Sequence, residues 1–178
     1  MKIAVLTSSR ADYGIYLPLL KRMINDNYFN LNIIAFGTHL SEEYGHTIDN
    51  ILEDGFEVDF RIETVVGDTV KEISQSMALT IKEFSEVWHK ESGSTDLIIC
   101  LGDRYEMFAA VSASVPFNIP VAHIHGGETT LGAIDNTFRH SLTLMSKHHF
   151  TSAEVHSNKV ESLIGNNHNI YNVGSLSL

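Results

Sequence analysis

The sequence is poor in cysteine, proline and basic residues, and each scarcity narrows what the protein can be. The single cysteine, Cys100, has no partner for a disulfide within the chain. Three prolines and a hydrophobic content of 43% argue against a disordered protein. Twelve Lys and Arg face 22 Asp and Glu, for a net charge of −10. That charge argues against nucleic acid as the main partner, because binding to phosphate backbones needs a basic surface.

Long apolar stretches are also missing. The N-terminal run MKIAVL is too short for the apolar core of a signal peptide and is followed at once by polar residues. No stretch approaches the roughly 20 apolar residues that a membrane-spanning helix needs. We therefore expect a soluble, cytoplasmic protein with no membrane partner.

Short apolar runs alternate with segments of helical periodicity along the whole chain. The runs predict strands at 2–7, 31–37, 56–62, 96–102, 119–125, 148–152 and 169–175, with 56–62 at an edge of the sheet. The periodic segments predict helices that end near 26, 55, 90, 115, 147 and 164. This alternation is typical of βαβ units. It predicts an α/β fold, a Rossmann-like doubly wound parallel sheet forming one domain over residues 1–178.

The longest predicted helix begins after Asp68 or Thr69, either of which can cap it, and runs to about Lys90. Its apolar residues recur at helical spacing and predict a single buried stripe. That stripe comprises Ile73, Met77, Ile81, Phe84 and Trp88.

Polar residues gather directly after the apolar runs, where ligands bind in open α/β sheets. They are Ser8, Ser9, Arg10 and Asp12 after the first run, Thr38 and His39 after the second, Asp103 and Arg104 after the fourth, and His125, Gly126, Gly127 and Glu128 after the fifth. Of five arginines in the chain, Arg10 and Arg104 follow strands and Arg139 lies in the next helix. This distribution predicts a cationic site on an acidic protein, suited to a phosphorylated small molecule.

Structural interpretations compete with this one. Ser9 and Asp12 can simply cap the first helix, and Asp103 can cap the helix after the fourth strand. Arg10 resists that interpretation, because the helix dipole disfavours a cation at a helix N-terminus unless an anion binds there. His39 alone is typical of a surface loop.

Other kinds of site find weaker support. His123 and His125 lie two apart on a predicted strand and could bind a metal with Glu128, Asp135 or His140, although a buried strand also places such a histidine in the core. The turn TSSRADYG lacks the dinucleotide pattern G-x-G-x-x-G, which argues against a nicotinamide or flavin cofactor. No G-x-S-x-G elbow is present, which argues against a serine hydrolase. We expect neither metal nor cofactor.

Five segments together resemble a known family. TSSRADYG, GTHLSEEYGHTIDNILEDGFEVD, LGDRYEMFAA, PVAHIHGGETTLGAIDNTFRHSLTLMSKHHFTS and NVGSL occur in that order and cover nearly the whole chain. They are similar to the N-terminal half of hydrolysing UDP-N-acetylglucosamine 2-epimerases, above all the bacterial enzymes that open sialic-acid and related nonulosonic-acid biosynthesis. The resemblance implies one half of a GT-B-type fold, in which two Rossmann-like domains enclose the active site.

The family's reaction converts UDP-N-acetylglucosamine and water to N-acetylmannosamine and UDP, through loss of UDP and hydration of a glycal. By the resemblance, Asp103, Glu128 and Asp135 are candidate acid/base groups, and Arg10 and Arg104 would contact the diphosphate. His39 would lie near the sugar, and Arg139 would support the carboxylates. Animal members and non-hydrolysing relatives carry Glu in place of His125, so the base is either His125 or a neighbouring carboxylate.

The resemblance also implies a second, uridine-binding domain beyond residue 178 and a homodimer formed through the N-terminal domain. We therefore expect this chain alone to be inactive. The expected substrate is UDP-N-acetylglucosamine, and the alternative is a UDP-2,4-diacetamido-trideoxyhexose, from which the sequence does not distinguish it. Two other classes stay open, namely half of a GT-B glycosyltransferase and a non-catalytic module for metal binding or oligomerisation.

Overall fold

Seven parallel strands form one sheet in the computed structural model, which describes residues 1–130 and 134–176. The strands are β1 Lys2–Thr7, β2 Asn30–Phe36, β3 Phe60–Ile62, β4 Leu97–Leu101, β5 Val121–Ile124, β6 His148–Thr151 and β7 Ile170–Asn172. Their order is β3-β2-β1-β4-β5-β6-β7, and every neighbouring pair is parallel. The predicted α/β fold is confirmed, with the predicted edge strand reduced to three residues.

Helices connect the strands and cover both faces of the sheet. They are α1 Arg10–Met23, α2 Ile48–Glu53, α3 Val70–Glu91, α4 Tyr105–Ser114, α5 Asp135–Met145 and α6 Glu154–Ile164. Trp88 of α3 and Leu142 of α5 belong to the core on one face, whereas Tyr16 of α1 and Ile51 of α2 belong to the core on the other. The sheet is thus doubly wound. None of the helices in the described residues is long and apolar enough to cross a membrane.

The predicted start of α3 is confirmed, because Thr69 caps the helix. Its side chain accepts a hydrogen bond from the backbone N–H of Glu72, and the Glu72 side chain accepts one from the backbone N–H of Thr69. This reciprocal pair satisfies two donors that the first helical turn leaves free.

The predicted buried stripe of α3 is partly wrong. Phe84 and Trp88 are fully buried, but Ile81 is 40% exposed, and Ile73 and Met77 are only partly buried. The face that packs inward instead carries Ser76, Thr80, Phe84, Val87 and Trp88. Small hydroxyl side chains let α3 lie close to α4, and they are satisfied locally. Ser76 accepts from the Val66 backbone N–H at 2.9 Å, and Thr80 donates to the Ser76 carbonyl at 2.7 Å.

An apolar groove of about 490 Å³ runs beside α1 on one face of the sheet. Leu19 and Met23 of α1 form one wall, and strand side chains form its floor. Those side chains are Ile3, Leu97, Ile99, Ala122, Ile124 and Phe150. The groove lies on the face that α1 and α2 cover, away from α3, α4 and α5.

Candidate active site

The carboxyl ends of the parallel strands bring the predicted site residues to one edge of the sheet. Arg10 follows β1, His39 follows β2, Asp103 and Arg104 follow β4, and His125 follows β5. They form two groups. We call the first the cationic pocket, lined by Ser9, Arg10, Ala11, Thr38, Tyr44, Gly45, Thr47, Asn50 and Arg104. We call the second the carboxylate cluster, which consists of Asp103, His125, Glu128 and Arg139.

The cationic pocket has a volume of about 450 Å³ and opens at the N-terminus of α1. Ser9 caps this helix, with its side chain accepting from the Asp12 backbone N–H, and Arg10 is the first helical residue. Arg10 is exposed, and the Arg104 side chain is 39% exposed. Two guanidinium groups, hydroxyl groups and a helix N-terminus therefore face the same cavity. Each of these favours an anion.

Arg104 interacts with two buried carboxylates, Asp12 and Glu106, of which the sequence interpretation missed Glu106. Its Nη2 donates to Glu106 Oε1 at 2.6 Å, and the Glu106 side chain is fully buried. Burial lowers the pKa of the guanidinium, but the charges of Glu106 and Asp12 outweigh it and raise that pKa above its usual value. Burial also raises the pKa of Asp12, which the hydrogen bonds from Ser8 partly offset.

His39 lies behind the wall of the cationic pocket rather than in the open site. It is fully buried, with Nε2 at 2.9 Å from Thr7 Oγ1 and Nδ1 at 2.9 Å from Thr47 Oγ1. Burial lowers the pKa of the ring to about 4, so it is neutral at pH 7. Because Thr47 lines the pocket, His39 orders that wall from behind.

Arg139 connects the members of the carboxylate cluster. Its Nη2 donates to Asp103 Oδ2, and its Nη1 donates to the His125 carbonyl at 2.7 Å. Nη1 also lies 3.8 Å from Glu128 Oε2. The Arg139 side chain is 7% exposed, whereas those of Asp103 and Glu128 are 20% and 29% exposed. The buried Arg139 guanidinium thus contacts two more accessible carboxylates, those of Asp103 and Glu128, and the backbone carbonyl of His125.

Glu128 has a second partner that the sequence interpretation missed. The Ser152 hydroxyl, just after β6, donates to Glu128 Oε1 at 2.6 Å, and the same oxygen lies 3.6 Å from His125 Nδ1. Ser152 lies 24 residues from Glu128, and an isolated serine after a strand carries no distinctive sequence signal. Only the adjacency of β5 and β6 reveals the contact.

His125 has the most unusual backbone in the site. Its φ of 63° places it in the left-handed region, which residues other than glycine rarely adopt. The side chain is 10% exposed, and its Nε2 is buried without a partner among the described residues. Burial lowers the pKa of His125 although the Glu128 carboxylate acts to raise it. A neutral ring with a free nitrogen can accept a proton.

The two glycines after His125 lie where little space is left for a side chain. Gly127 has a φ of 78°, and a Cβ there would overlap the His156 carbonyl oxygen. A Cβ on Gly126 would lie 3.0 Å from His123 Nδ1. Gly127 is therefore required where the chain passes α6, whereas a Cβ on Gly126 would only crowd the His123 ring.

His123 is a core histidine, which was one of the two predicted roles for it. It is fully buried, its Nε2 lies 2.8 Å from the Gly102 carbonyl, and its Nδ1 lies 3.2 Å from Thr143 Oγ1. Burial lowers its pKa to about 3. Over residues 1–130 and 134–176, no group of three or more His, Cys, Asp and Glu is arranged to hold a metal ion.

Asp135 is the first residue of α5, and no hydrogen bond among the described residues joins it to the carboxylate cluster. Its neighbour Asn136 instead reaches Asp103 of the cluster through Thr130. Asn136 Oδ1 accepts from the Thr130 backbone N–H at 2.9 Å, and the Thr130 hydroxyl donates to Asp103 Oδ2 at 3.4 Å. Residues 131–133, part of the segment that carries the resemblance, lie outside the described structure.

The two groups combine complementary chemistry at one edge of the sheet. The cationic pocket can stabilise a leaving anion, and the carboxylate cluster offers a neutral imidazole and two accessible carboxylates for proton transfer. Such a combination suits the cleavage of a bond to phosphate at a carbon whose neighbour loses a proton.

Comparison with known proteins gives a consistent result. The family described as UDP-N-acetylglucosamine 2-epimerase matches residues 21–178. A GDP/UDP-N,N'-diacetylbacillosamine 2-epimerase (hydrolyzing) of Campylobacter jejuni is 36% identical over 177 residues, which are 99% of this chain and 45% of that protein. The polysialic acid biosynthesis protein P7 of Escherichia coli is 36% identical over 176 residues, which are 98% of this chain and 44% of that protein.

A solved structure shares the fold. The UDP-GlcNAc 2-epimerase of Neisseria meningitidis, bound to UDP-GlcNAc, superimposes with a TM-score of 0.82 at 18% identity. The match covers 98% of this chain and 46% of that one. This chain therefore spans somewhat less than half the length of the proteins that it matches.

Proposed function

Because this chain belongs to the UDP-N-acetylglucosamine 2-epimerase family, we propose that it supplies the acid/base half of a hydrolysing UDP-sugar 2-epimerase. The observation that carries this proposal is the carboxylate cluster, in which Arg139 holds Asp103, Glu128 and the His125 backbone around an open edge of the sheet. Elimination of a nucleotide from a sugar requires groups that transfer protons and cations that stabilise the leaving diphosphate. The carboxylate cluster offers the first, and the cationic pocket offers the second.

In the proposed reaction, a base takes the proton from C2 of the sugar as the bond between C1 and the diphosphate oxygen breaks. The electron pair of the C–H bond forms the C1–C2 double bond, and UDP leaves with the pair of the C–O bond. Water then adds its hydroxyl group to C1, and a proton reaches C2 from the opposite face. The products are UDP and the sugar with inverted C2.

His125 is supported as the base by its unpartnered, buried Nε2 and by the lowered pKa that keeps it neutral at pH 7. Asp103 is the alternative base, and its Oδ2 is already occupied by Arg139 and Thr130. Glu128, which Ser152 holds in place, can return a proton on the other face. Asp135 is proposed as a further acid/base group by resemblance alone.

The cationic pocket is proposed to receive the diphosphate, through Arg10, Arg104 and the N-terminus of α1. His39 supports this wall through Thr47 and would act on the sugar only indirectly. We further propose that the intact protein has a second domain that binds uridine and closes over the site. Exclusion of water by such closure strengthens the electrostatic contacts on which the reaction depends.

We also propose a homodimer formed through this domain, in which the partly exposed apolar side chains of α3 take part. Ile73, Met77 and Ile81 lie on one side of that helix, and Ile81 is 40% exposed. Burial of such residues in an interface would remove apolar surface from water. Light scattering that shows only monomer at high micromolar concentration would contradict this assembly.

Two substrates fit the proposal, and the names of the relatives favour different ones. The relative from Campylobacter jejuni is a diacetylbacillosamine epimerase, which favours a UDP-2,4-diacetamido-trideoxyhexose. The relative from Escherichia coli is a polysialic acid biosynthesis protein, which favours UDP-N-acetylglucosamine and a role in sialic acid synthesis. The family match favours both over transfer of the sugar to an acceptor, as a glycosyltransferase would perform.

The test is product analysis of the intact protein with both sugars in D₂O. We expect release of UDP and of the C2-inverted free sugar, carrying deuterium at C2 because the new proton comes from solvent. The preferred sugar will show the higher kcat/KM. Release of the sugar without inversion, or its transfer to an acceptor, would contradict the proposal. Asp103→Asn is the control that must lose the activity.

A further inference from the structure

Glu106 lies beneath the cationic pocket in an arrangement that helix stability does not explain. It is in the first turn of α4, where the helix dipole favours an acidic residue, but such a residue normally faces water. Here the side chain is fully buried, and Oε2 has no hydrogen-bond partner among the described residues. Desolvation of a carboxylate is costly, and a salt bridge to a half-exposed arginine regains little of that cost.

The surroundings of Glu106 hold its carboxylate in one place. Gly37, with a φ of 60°, packs against it, because a Cβ on Gly37 would lie 3.5 Å from Glu106 Cγ and 2.8 Å from the Ser8 carbonyl oxygen. The Thr38 backbone N–H donates to that same Ser8 carbonyl at 2.9 Å. The ends of β1 and β2 thus close over the Glu106 side chain.

Within the part of the chain that the structure describes, the Arg104 guanidinium is the hydrogen-bond partner of the fixed carboxylate. The distance from Arg104 Nη2 to Glu106 Oε1 is 2.6 Å, whereas Arg104 Nε has no partner among the described residues. Arg104 also lines the cationic pocket, as Arg10 does. Because the guanidinium is planar and rigid, fixing one of its N–H groups restricts the directions in which the others can point.

We propose that Glu106 is a positioning residue, whose buried carboxylate sets the direction in which Arg104 presents its free N–H groups to a diphosphate in the cationic pocket. This inference rests on the proposed function and extends it to a residue that does not itself contact the substrate. A fixed guanidinium binds a phosphate group with less loss of side-chain entropy than a mobile one, and at a defined point.

The first test observes Arg104 directly, by NMR of this chain without any ligand. If Glu106 fixes the guanidinium, rotation about its Nε–Cζ bond will be slow, and the Nη protons of Arg104 will give separate signals. The exposed Arg10 is the internal comparison, and its signals will be averaged. Averaged signals for Arg104 in the wild-type chain would overturn the proposal.

The second test separates position from charge by a titration of the intact protein with UDP. Glu106→Asp keeps the charge but withdraws the carboxylate by one methylene group, so we expect at least fivefold weaker binding. Glu106→Gln keeps an acceptor in reach of Nη2 and should weaken binding less than Glu106→Asp. If Glu106 only balances charge, this order will be reversed. Glu86→Asp, the same shortening at an exposed position of α3, is the matched control and should stay within twofold of wild type.

A double-mutant cycle completes the argument. If Glu106 acts through Arg104, Arg104→Ala with Glu106→Asp will bind UDP within twofold of Arg104→Ala alone. If instead the two substitutions weaken UDP binding by independent factors that multiply, the proposal is contradicted. Wild-type affinity for UDP in a folded Glu106→Asp variant would contradict it as well. If Glu106→Asp does not fold, the Arg104 signals of the wild-type and Glu106→Gln chains still decide. Failure of the intact wild-type protein to bind UDP would contradict the proposed function, whereas the Arg104 signals judge the positioning role separately.

Discussion

Arg139 and Asp103, which lie 36 residues apart in the sequence, form an ion pair in which Nη2 of the guanidinium donates to Oδ2 of the carboxylate. Arg139 lies on α5 and Asp103 follows β4, so the pair joins two βαβ units at the edge of the sheet. The same guanidinium also binds the backbone carbonyl of His125. The Arg139 side chain therefore both joins separate elements of the fold and contacts residues of the candidate site.

Near-isosteric substitution of the carboxylates tests their proposed role. In the intact protein, Asp103→Asn and Glu128→Gln should each lower kcat by a factor on the order of 10² or more, because each removes an acid/base group. Thermal unfolding should show that both variants are folded. Wild-type turnover in either variant would mean that the residue is structural.

Loss of Arg139 should destabilise the fold as well as the site. Arg139→Ala leaves the Asp103 carboxylate and the His125 carbonyl without this partner in a largely buried setting. We expect a loss of about 3 kcal/mol in the free energy of unfolding, as for broken buried ion pairs. Lys82→Ala, whose side chain is 77% exposed, is the control and should change that energy by less than about 0.5 kcal/mol. Urea unfolding measures both free energies. If Arg139→Ala lost as little as Lys82→Ala, Arg139 would not stabilise the fold.

Two glycines with nearly equal φ angles should differ in the stability that is lost when each is replaced by alanine. Gly127 and Gly165 have φ values of 78° and 76°, so each alanine meets the same left-handed strain of about 1–2 kcal/mol. A Cβ on Gly165 meets nothing within 4 Å, whereas one on Gly127 overlaps the His156 carbonyl. Gly127→Ala should therefore lose roughly 1–3 kcal/mol more than Gly165→Ala. Equal losses in urea unfolding would show that α6 moves freely away from this turn.

Buried histidines should make the fold sensitive to mild acid. Burial lowers the pKa values of His39, His123 and His149 to about 4, 3 and 4, against about 6.5 in an unfolded chain. Below pH 6.5 the unfolded state binds more protons, so stability that is complete above this pH is lost as pH falls towards 4. Each histidine contributes a slope of up to about 1.4 kcal/mol per pH unit. Asp12, whose pKa is raised by burial, acts in the opposite direction, because its carboxyl group holds a proton more readily in the folded state than in the unfolded state.

Urea unfolding at about pH 7.5, 6 and 5 measures this slope. His149→Gln should reduce it by the share of one histidine, since its buried ring no longer has to stay neutral in the folded state. His89→Gln, on the exposed side of α3, should leave the slope as it is. An unchanged slope in His149→Gln would show that this ring is protonated in the folded protein.

The 178-residue chain should fold but should not catalyse. A cleft enzyme assembles its transition-state contacts from both walls and excludes water on closing. Here UDP would meet only the cationic pocket on an open, acidic surface, where salt screens the contacts. Calorimetry should give a millimolar Kd for UDP at best, and a product assay should detect no free sugar. Micromolar binding or clear turnover would show that this domain carries most of the site.

The sequence by itself determined the alternation of strands and helices, and with it the edge of the sheet where the candidate site residues gather. Apolar runs and helical periods are local patterns, and parallel strands must place their carboxyl ends together. A cap at Asp68 or Thr69 could be assigned because capping residues are local signals, and the structure shows that Thr69 fills this role. His125 and Glu128 could be selected because they directly follow such a run.

Only the tertiary structure decided which polar residues share partners. The contacts from Glu106 to Arg104 and from Ser152 to Glu128 depend on rotamers and on strand order, which periodicity does not encode. The inward face of α3 likewise depended on α4, since packing against a helix of small residues favoured Ser76 and Thr80 over the larger Ile81. Local chemistry fixes where an element begins and what it can offer, but close packing between distant elements fixes which of its side chains are used.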